Sequence, residues 1–241
     1  RAACRRWTRP NWPGWPSQIL FLLRPVSRWY LCLSGAPVRV FHRCLWAGFL
    51  CVIDLHNDPE AVYSYLSQYN PPSIDFLLPL NHHDLRPLGK EQSLDVTPYA
   101  DWLLKIFNIW YHQKPQTIRI RKFEEIISLM LGLQGNSEEW GLKPVDFAVI
   151  ETNGDIEAVD SLKVTYPEAT KLGMDIFTHS FDEIFDSPKV IERQEKWQYL
   201  SKTCQECNLV KVCGGGYLPH RYSRENYFHN PSVYCSDLKK M

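Results

Sequence analysis

Acidic residues and lysine are missing from the front of this 241-residue chain. Between Arg1 and Ile53 there is no Asp, Glu or Lys, yet eight Arg are present. The same stretch holds Trp7, Trp12, Trp15, Trp29 and Trp46, five of the nine tryptophans, with prolines scattered between them. Without charge pairs or a sustained period, residues 1–50 do not read as part of a globular fold. Such text is what a coding region read out of frame, or a wrongly chosen start, yields. The alternative is a basic tail that is disordered or docks on a partner. Because the whole chain has zero net charge, the eight front arginines leave a balance of −8 for the rest.

Long apolar runs are also missing. Ile19 to Leu23 stops at Arg24-Pro25, and the next run is broken by Arg39 and Arg43. A spanning helix needs about 20 nearly continuous apolar residues, so no membrane partner is expected. There is no basic-then-apolar leader with a small-residue cleavage site, which points to the cytoplasm. Zero net charge supplies no global field for nucleic acid. Cysteine is absent between Cys51 and Cys204 and then clustered. In a reducing compartment that pattern favours metal over disulfides.

From residue 51 the sequence is regular. Cys51 to Leu55 reads as a buried strand, and Asp58-Pro59-Glu60 opens a helix with Val62, Tyr65, Leu66 and Tyr69 on one face. Ile74 to Leu78 is the next strand, followed by a long polar loop from Pro79 to Val96. Thr97-Pro98 opens a second helix with Trp102, Leu103, Ile106 and Trp110 facing inward. A short strand at Ile118 to Arg121 precedes a helix from Phe123 to Leu131. Strand–helix alternation predicts an α/β fold, the C-terminal part of a partial (β/α) barrel over 51–143. Asp54 and the loop after Leu78 would then face the pocket. Beyond residue 143, Phe147 to Glu151, Asn153-Gly154 and Asp155 to Asp160 spell a β-hairpin. Helices at 182–185 and 188–200 lead into a cysteine-bearing module, 144–241.

That module carries the chemistry. Cys204-x2-Cys207 presents two sulfurs from one turn, Cys213 follows, and Cys235 must return by folding. Four thiolates suit one zinc ion or one [4Fe–4S] cluster. The ligands do not come as two short pairs, as in many zinc modules. Gly214-Gly215-Gly216 would also let the main chain approach a bulky cluster, or simply make a tight turn. Arg221 beside an anionic cluster would stabilise its charge.

Cys-x2-Cys-x5-Cys with a glycine-rich continuation and a distant last Cys resembles the SPASM domain, the auxiliary-cluster module of many radical S-adenosylmethionine (SAM) enzymes. CGGG (Cys213 to Gly216), HRY (His220 to Tyr222) and NPSVYC (Asn230 to Cys235) are similar to its FxsB-like peptide-maturase branch. So are VIDLHNDP, PPSIDFLLP, TPYADWL, IRIRKFEEII and VIETNGDIEAVDSLK upstream. The resemblance covers about Cys51 to Leu238. It implies a SPASM-type module with one auxiliary [4Fe–4S] cluster on Cys204, Cys207, Cys213 and Cys235. Gly214, Gly215, Gly216 and Arg221 would surround that cluster. Modules with two such clusters carry further cysteines where this chain has Val159 and Tyr217. Radical SAM chemistry also needs a Cys-x3-Cys-x2-Cys loop, and Cys4, Cys32, Cys44 and Cys51 lack that spacing. SAM and a second [4Fe–4S] cluster therefore belong only to an intact family member, and no SAM cleavage is expected of this chain alone.

The function implied is the C-terminal portion of an enzyme that modifies, for example cross-links, a ribosomally made precursor peptide. A ferredoxin or flavodoxin would be the electron donor. The rival readings are a non-catalytic metal-binding module that docks a peptide or protein, and a pseudogene product. His82-His83-Asp84 reads chiefly as a solvated loop, with substrate contact as the minor alternative. Asp54 and Glu151 read as capping or surface groups, Glu124-Glu125 as solvated, and Trp102, Phe107, Trp110 and Phe123 as core.

Overall fold

The computed structural model describes residues 19–23, 30–32, 46–144 and 148–241. The first region is a five-stranded sheet in the order β2-β1-β3-β4-β5. Its strands are β1 (Ile19–Leu23), β2 (Tyr30–Cys32), β3 (Trp46–Val52), β4 (Ser73–Leu77) and β5 (Arg119–Ile120). β3, β4 and β5 run parallel, whereas β1 pairs antiparallel with both β2 and β3. The strand expected at Cys51 to Leu55 thus begins earlier, at Trp46. Phe49 is buried in the core, so the atypical front segment contributes to the sheet. Its continuous apolar text, rather than charge, places it there.

Parallel register sets Phe49 beside Ile74 and Cys51 beside Phe76. Those side chains face three helices, α1 (Pro59–Ser67), α2 (Pro98–His112) and α3 (Arg121–Met130). Asp58 caps α1 by accepting the Ala61 amide at 2.9 Å. Tyr63 and Leu66 are the buried residues of α1, while Tyr65 and Tyr69 are exposed, a rotation of the expected face. On α2 the expected face holds, with Trp102, Leu103, Ile106 and Trp110 all buried. Trp110 donates its indole N–H to the Ile118 carbonyl at 2.8 Å, which fixes the turn into β5. Phe123 is core and Phe107 packs partly buried against it.

The second region opens with the expected hairpin, β6 (Val149–Ile150) against β7 (Asp155–Glu157). Gly154 turns it with φ +92°. Phe147 lies outside the described residues. A third strand, β8 (Lys171–Asp175), pairs with β7. It follows a 3-10 turn, η1 (Asp160–Val164). Then come α4 (Phe181–Phe185) and α5 (Pro188–Gln194), the latter shorter than the expected 188–200.

The cysteine segment forms α6 (Lys202–Gln205), α7 (Val210–Cys213), a 3-10 turn η2 (Leu218–Arg221) and α8 (Cys235–Lys240). Val233, Tyr234 and Leu238 pack into the core of the first region. Among the described residues, no helix is long and apolar enough to cross a membrane.

Candidate functional site

The four cysteines converge. Ser201 starts α6, and its carbonyl accepts the Cys204 amide at 2.9 Å. Cys207 follows in the next turn, its amide on the Cys204 carbonyl at 3.1 Å. Cys213 closes α7 and Cys235 opens α8. All four thiols are free and line one cavity with Leu209 and Val210. Burial pushes the Cys213 thiol up to about 12, helped by Cys235 and opposed by the Gly215 amide. Burial also raises Cys235. These thiols are neutral until a metal displaces their protons.

A metal ion or cluster fits this donor set: four soft ligands from three turns, lining one cavity, with no disulfide between them. Sulfur spacing bears on which of the two this site suits. Tetrahedral zinc at about 2.3 Å from each sulfur sets sulfurs about 3.8 Å apart. Among the described residues, the one trio of ligand atoms within 4.8 Å of each other is Glu151, Glu157 and Asp160. No three of the four sulfurs gather that closely. The acidic trio is itself occupied, because Lys163 Nζ lies 2.7 Å from Asp160, 3.6 Å from Glu151 and 3.9 Å from Glu157.

The three glycines have separate tasks. Gly214, Gly215 and Gly216 have φ of +61°, +78° and +74°. A Cβ on Gly214 would lie 1.8 Å from the Gly141 carbonyl oxygen, so its bareness serves that approach. Gly215 alone of the three lines the thiol cavity. Val159 and Tyr217, the positions lacking cysteine, lie beside η1 and η2, which contact each other. Ala158, Val159, Leu162, Tyr222 and Phe228 fill that region with apolar packing.

Two buried cations flank the thiols. Arg221 is 1% exposed and donates to the Phe228 and Tyr199 carbonyls at 3.0 and 3.2 Å. Lys196 is 6% exposed and donates to the Glu138 and Gly141 carbonyls at 3.1 and 2.8 Å. Burial pulls the Lys196 ammonium down to about 8, with Arg221 adding to the effect. Lys196 has no counterpart in the sequence reading, because a lysine amid polar text reads as solvent-facing.

A second cavity, about 440 Å³, opens on the other face of the sheet. Leu50, Val52, Asp75 and Leu77 form its floor, and the start of α3 with residues 136–140 forms its wall. Its charges are paired: Arg121 with Asp75, and Lys122 with Glu139. Burial lifts the Asp75 carboxyl despite Lys122 and Arg121, whereas Lys122 holds Glu139 low against its burial. Glu125, expected as solvated, is buried and accepts the Asn136 and Ser137 amides, both at 2.7 Å. Its neighbour Glu124 does face out, toward Arg119.

Asp54 does not line either cavity. It is tied to its own turn, accepting from His56 N and Nδ1. Glu151 sits by Lys163 at the hairpin. Cys51 is a core residue, its thiol raised to about 11 by burial. Cys4 and Cys44 lie outside the described residues.

The loop from Pro79 to Val96 is not a solvated loop but the seam between the sheet and the cysteine segment. His82 Nε2 donates to the Val164 carbonyl (3.2 Å) and His83 Nε2 to that of Pro231 (2.8 Å). Asp84 accepts the Arg224 amide at 2.9 Å. Lys90 and Asp237, both 0% exposed, form an ion pair of 2.6 Å. Asp237 also accepts the Tyr99 and Ala100 amides at the start of α2, each at 2.9 Å. The strand-to-loop grammar marked where this loop lies, but its partners stand up to 155 residues away.

No protein-family model matches the chain. A cysteine-type anaerobic sulfatase-maturating enzyme of Clostridium perfringens (strain 13 / Type A) is 25% identical over 203 residues. That match covers 80% of this chain and 52% of the relative. A counterpart from a second C. perfringens strain is 23% identical over the same length. Solved structures of native anSMEcpe with bound AdoMet match at a TM-score of 0.64. One also holds the Kp18Cys peptide; it is 20% identical, covering 79% of this chain and 53% of that one. The chain is similar to the anaerobic sulfatase-maturating enzymes. The radical SAM/SPASM resemblance carried by its motifs is thereby borne out, and its mixed α/β fold is shared with anSMEcpe. The chain spans about half the length of the relatives it matches.

Proposed function

We propose that this chain is the C-terminal portion of a radical SAM/SPASM enzyme that modifies a ribosomally made peptide. The parallel strands β3, β4 and β5 read as the end of a partial (β/α) barrel, and the region from residue 144 as the SPASM-type module. Cys204, Cys207, Cys213 and Cys235 would hold one auxiliary [4Fe–4S] cluster. The observation that carries this reading is the meeting of four free thiols, from three turns, in a single cavity. Their spacing supports a polynuclear centre over a single zinc ion, and apolar packing beside Val159 and Tyr217 supports one such cluster.

When bound, such a cluster supplies one-electron chemistry and a surface that helps hold substrate. The chain's own groups supply the rest. The Cys213 and Cys235 thiols release protons on loading, and the Gly215 amide directs a donor at the Cys213 sulfur. Leu209 and Val210 give the site an apolar edge. The seam of His82, His83, Asp84 and Lys90 holds the module against the sheet. The 440 Å³ cavity, with its paired charges, is the place for a peptide segment. The relatives' name makes a cysteine-type sulfatase their substrate; for this chain the proposal stays at a precursor peptide. A reduced ferredoxin or flavodoxin in the cytoplasm would supply electrons. Neither nucleic acid nor membrane has a role, and SAM cleavage is not expected of this chain alone.

The test is anaerobic expression of the full chain, reconstitution with ferrous iron and sulfide, then iron, sulfide and zinc analysis. About four irons and four sulfides per chain, lost in Cys207→Ala, is the expected result. Stoichiometric zinc without sulfide would replace this reading with the metal-binding docking module.

A further inference from the structure

Three cations and two carboxylates share a small cavity next to the thiols: Arg193, Lys196 and Arg221 with Glu138 and Glu192. Arg193 takes Glu138, its guanidinium 2.6 Å from the carboxylate. Glu192 makes no ion pair within 4.0 Å among the described residues, and burial raises its carboxyl toward the neutral form. Lys196 and Arg221 therefore give their hydrogen bonds to backbone carbonyls alone among the described residues. Buried cations held directly by carbonyls alone remain short of negative charge. Both cations feel nearby anions without an ion pair: Arg221 feels Glu192 and then Cys204, and Lys196 feels Cys213 and then Glu138 and Glu125. Gly215, which lines the thiol cavity, ties the two together: a Cβ there would lie 3.7 Å from Arg221 Nη1.

A metal–thiolate centre of four cysteines is a dianion, whether it is zinc or an oxidised [4Fe–4S] cluster, and one-electron reduction of the cluster adds a further negative charge. We propose that Lys196 and Arg221 are the built-in counter-charge of the four-cysteine centre, holding its metal and raising its potential. The inference rests on the reading that the four cysteines hold a metal. Lys196 is a positioning and tuning residue: it touches the carbonyl of Gly141, against which Gly214 packs, and not the metal.

Lys196→Gln keeps an N–H donor for the two carbonyls and removes the charge, and Lys196→Arg restores the charge. With ferrous iron and sulfide as the probe, the expected Lys196→Gln result is about tenfold faster metal release to a chelator. Its redox titration should shift about tenfold against reduction, about 59 mV for a one-electron couple. Lys196→Arg should behave like wild type. Thermal melting of the metal-free Lys196→Gln protein should not fall below wild type, because the apo site loses only an uncompensated charge. Release and potential unchanged in Lys196→Gln would overturn the inference. So would a loss of apo stability equal to the loss in the loaded protein, which would make Lys196 a staple for residues 138–141. If wild type binds zinc without sulfide, chelator release of zinc decides in the same way. If wild type takes up neither, the cysteine reading falls and the inference with it.

Discussion

The two cavities are lined with opposite electrostatic logic. In the sheet cavity two ion pairs face each other, Asp75 with Arg121 and Lys122 with Glu139, while buried Glu125 is held by the Asn136 and Ser137 amides. Around the thiols, Lys196 and Arg221 hydrogen-bond, among the described residues, to carbonyls, with no ion pair of their own. A self-compensated cavity can sit empty or accept a neutral backbone without electrostatic penalty. An uncompensated one is incomplete until an anion arrives. The difference is what supports proposing a peptide for the first cavity and a metal–thiolate centre for the second.

Two lysines test that contrast most severely. Lys90 is fully compensated, with Asp237 at 2.6 Å, Ser236 Oγ at 2.7 Å and the Val96 carbonyl at 2.6 Å. Lys90→Met strands Asp237 in a dry site, and such losses cost about 3–5 kcal/mol. Asp237 follows Cys235 by two residues on α8 and caps the start of α2, so metal retention should fall as well. Denaturant unfolding of the metal-free protein should show Lys90→Met strongly destabilised and Lys196→Gln not. Equal losses for both lysines would break the distinction between ion-paired and carbonyl-held buried lysines.

His220 sharpens the comparison, because it stands between them. Its ring packs edge-on against Tyr217, which lines the sheet cavity, and against Tyr234, which precedes Cys235. Burial drives its pKa down to about 4, outweighing the attraction of Glu139. An unfolded histidine titrates near 6.5. Between those values the unfolded chain binds a proton that the folded chain refuses, so stability falls as pH drops from about 6.5 to about 4. The span amounts to about 3 kcal/mol. His220→Phe should flatten stability between pH 6.5 and 4.5, read from urea unfolding at each pH. An unchanged slope would mean that the ring is charged in the fold.

Much of this was legible before any coordinates. The four ligand candidates are cysteines at telling spacing, and their chemistry survives any error in element boundaries. Strands β3 and β4 show as apolar runs, and α1 and α2 announce themselves by Asp58-Pro59 and Thr97-Pro98. What stayed hidden is long-range. Nothing local in His82-His83-Asp84 says that its partners are Val164, Pro231 and Arg224. Lys90, Lys122 and Lys196 are buried against the usual habit of lysine, and only tertiary packing reveals it. β8 (KLGMD) lacks clean alternation because it is a half-exposed edge. The start of β3 was hidden for the opposite reason: its apolar text is continuous with the arginine-rich segment before it.

The smallest predicted effect guards the argument against reading every ion pair as structural. Arg119 meets Glu124 with both guanidinium and Nε contacts, 2.6–3.2 Å long, a better hydrogen-bonding geometry than Lys163 offers any one carboxylate. Yet the Arg119 side chain is 74% exposed. Water screens the attraction, and holding two long side chains in one geometry costs entropy, so such a pair contributes under about 1 kcal/mol. Arg119→Ala should shift the urea midpoint slightly and leave metal content untouched, because β5 is fixed by Ile120 in the core rather than by its outward-facing neighbour. A loss comparable to Lys90→Met would show that contact geometry, and not burial, decides which charges matter here. The contrast between the two cavities would then need another cause.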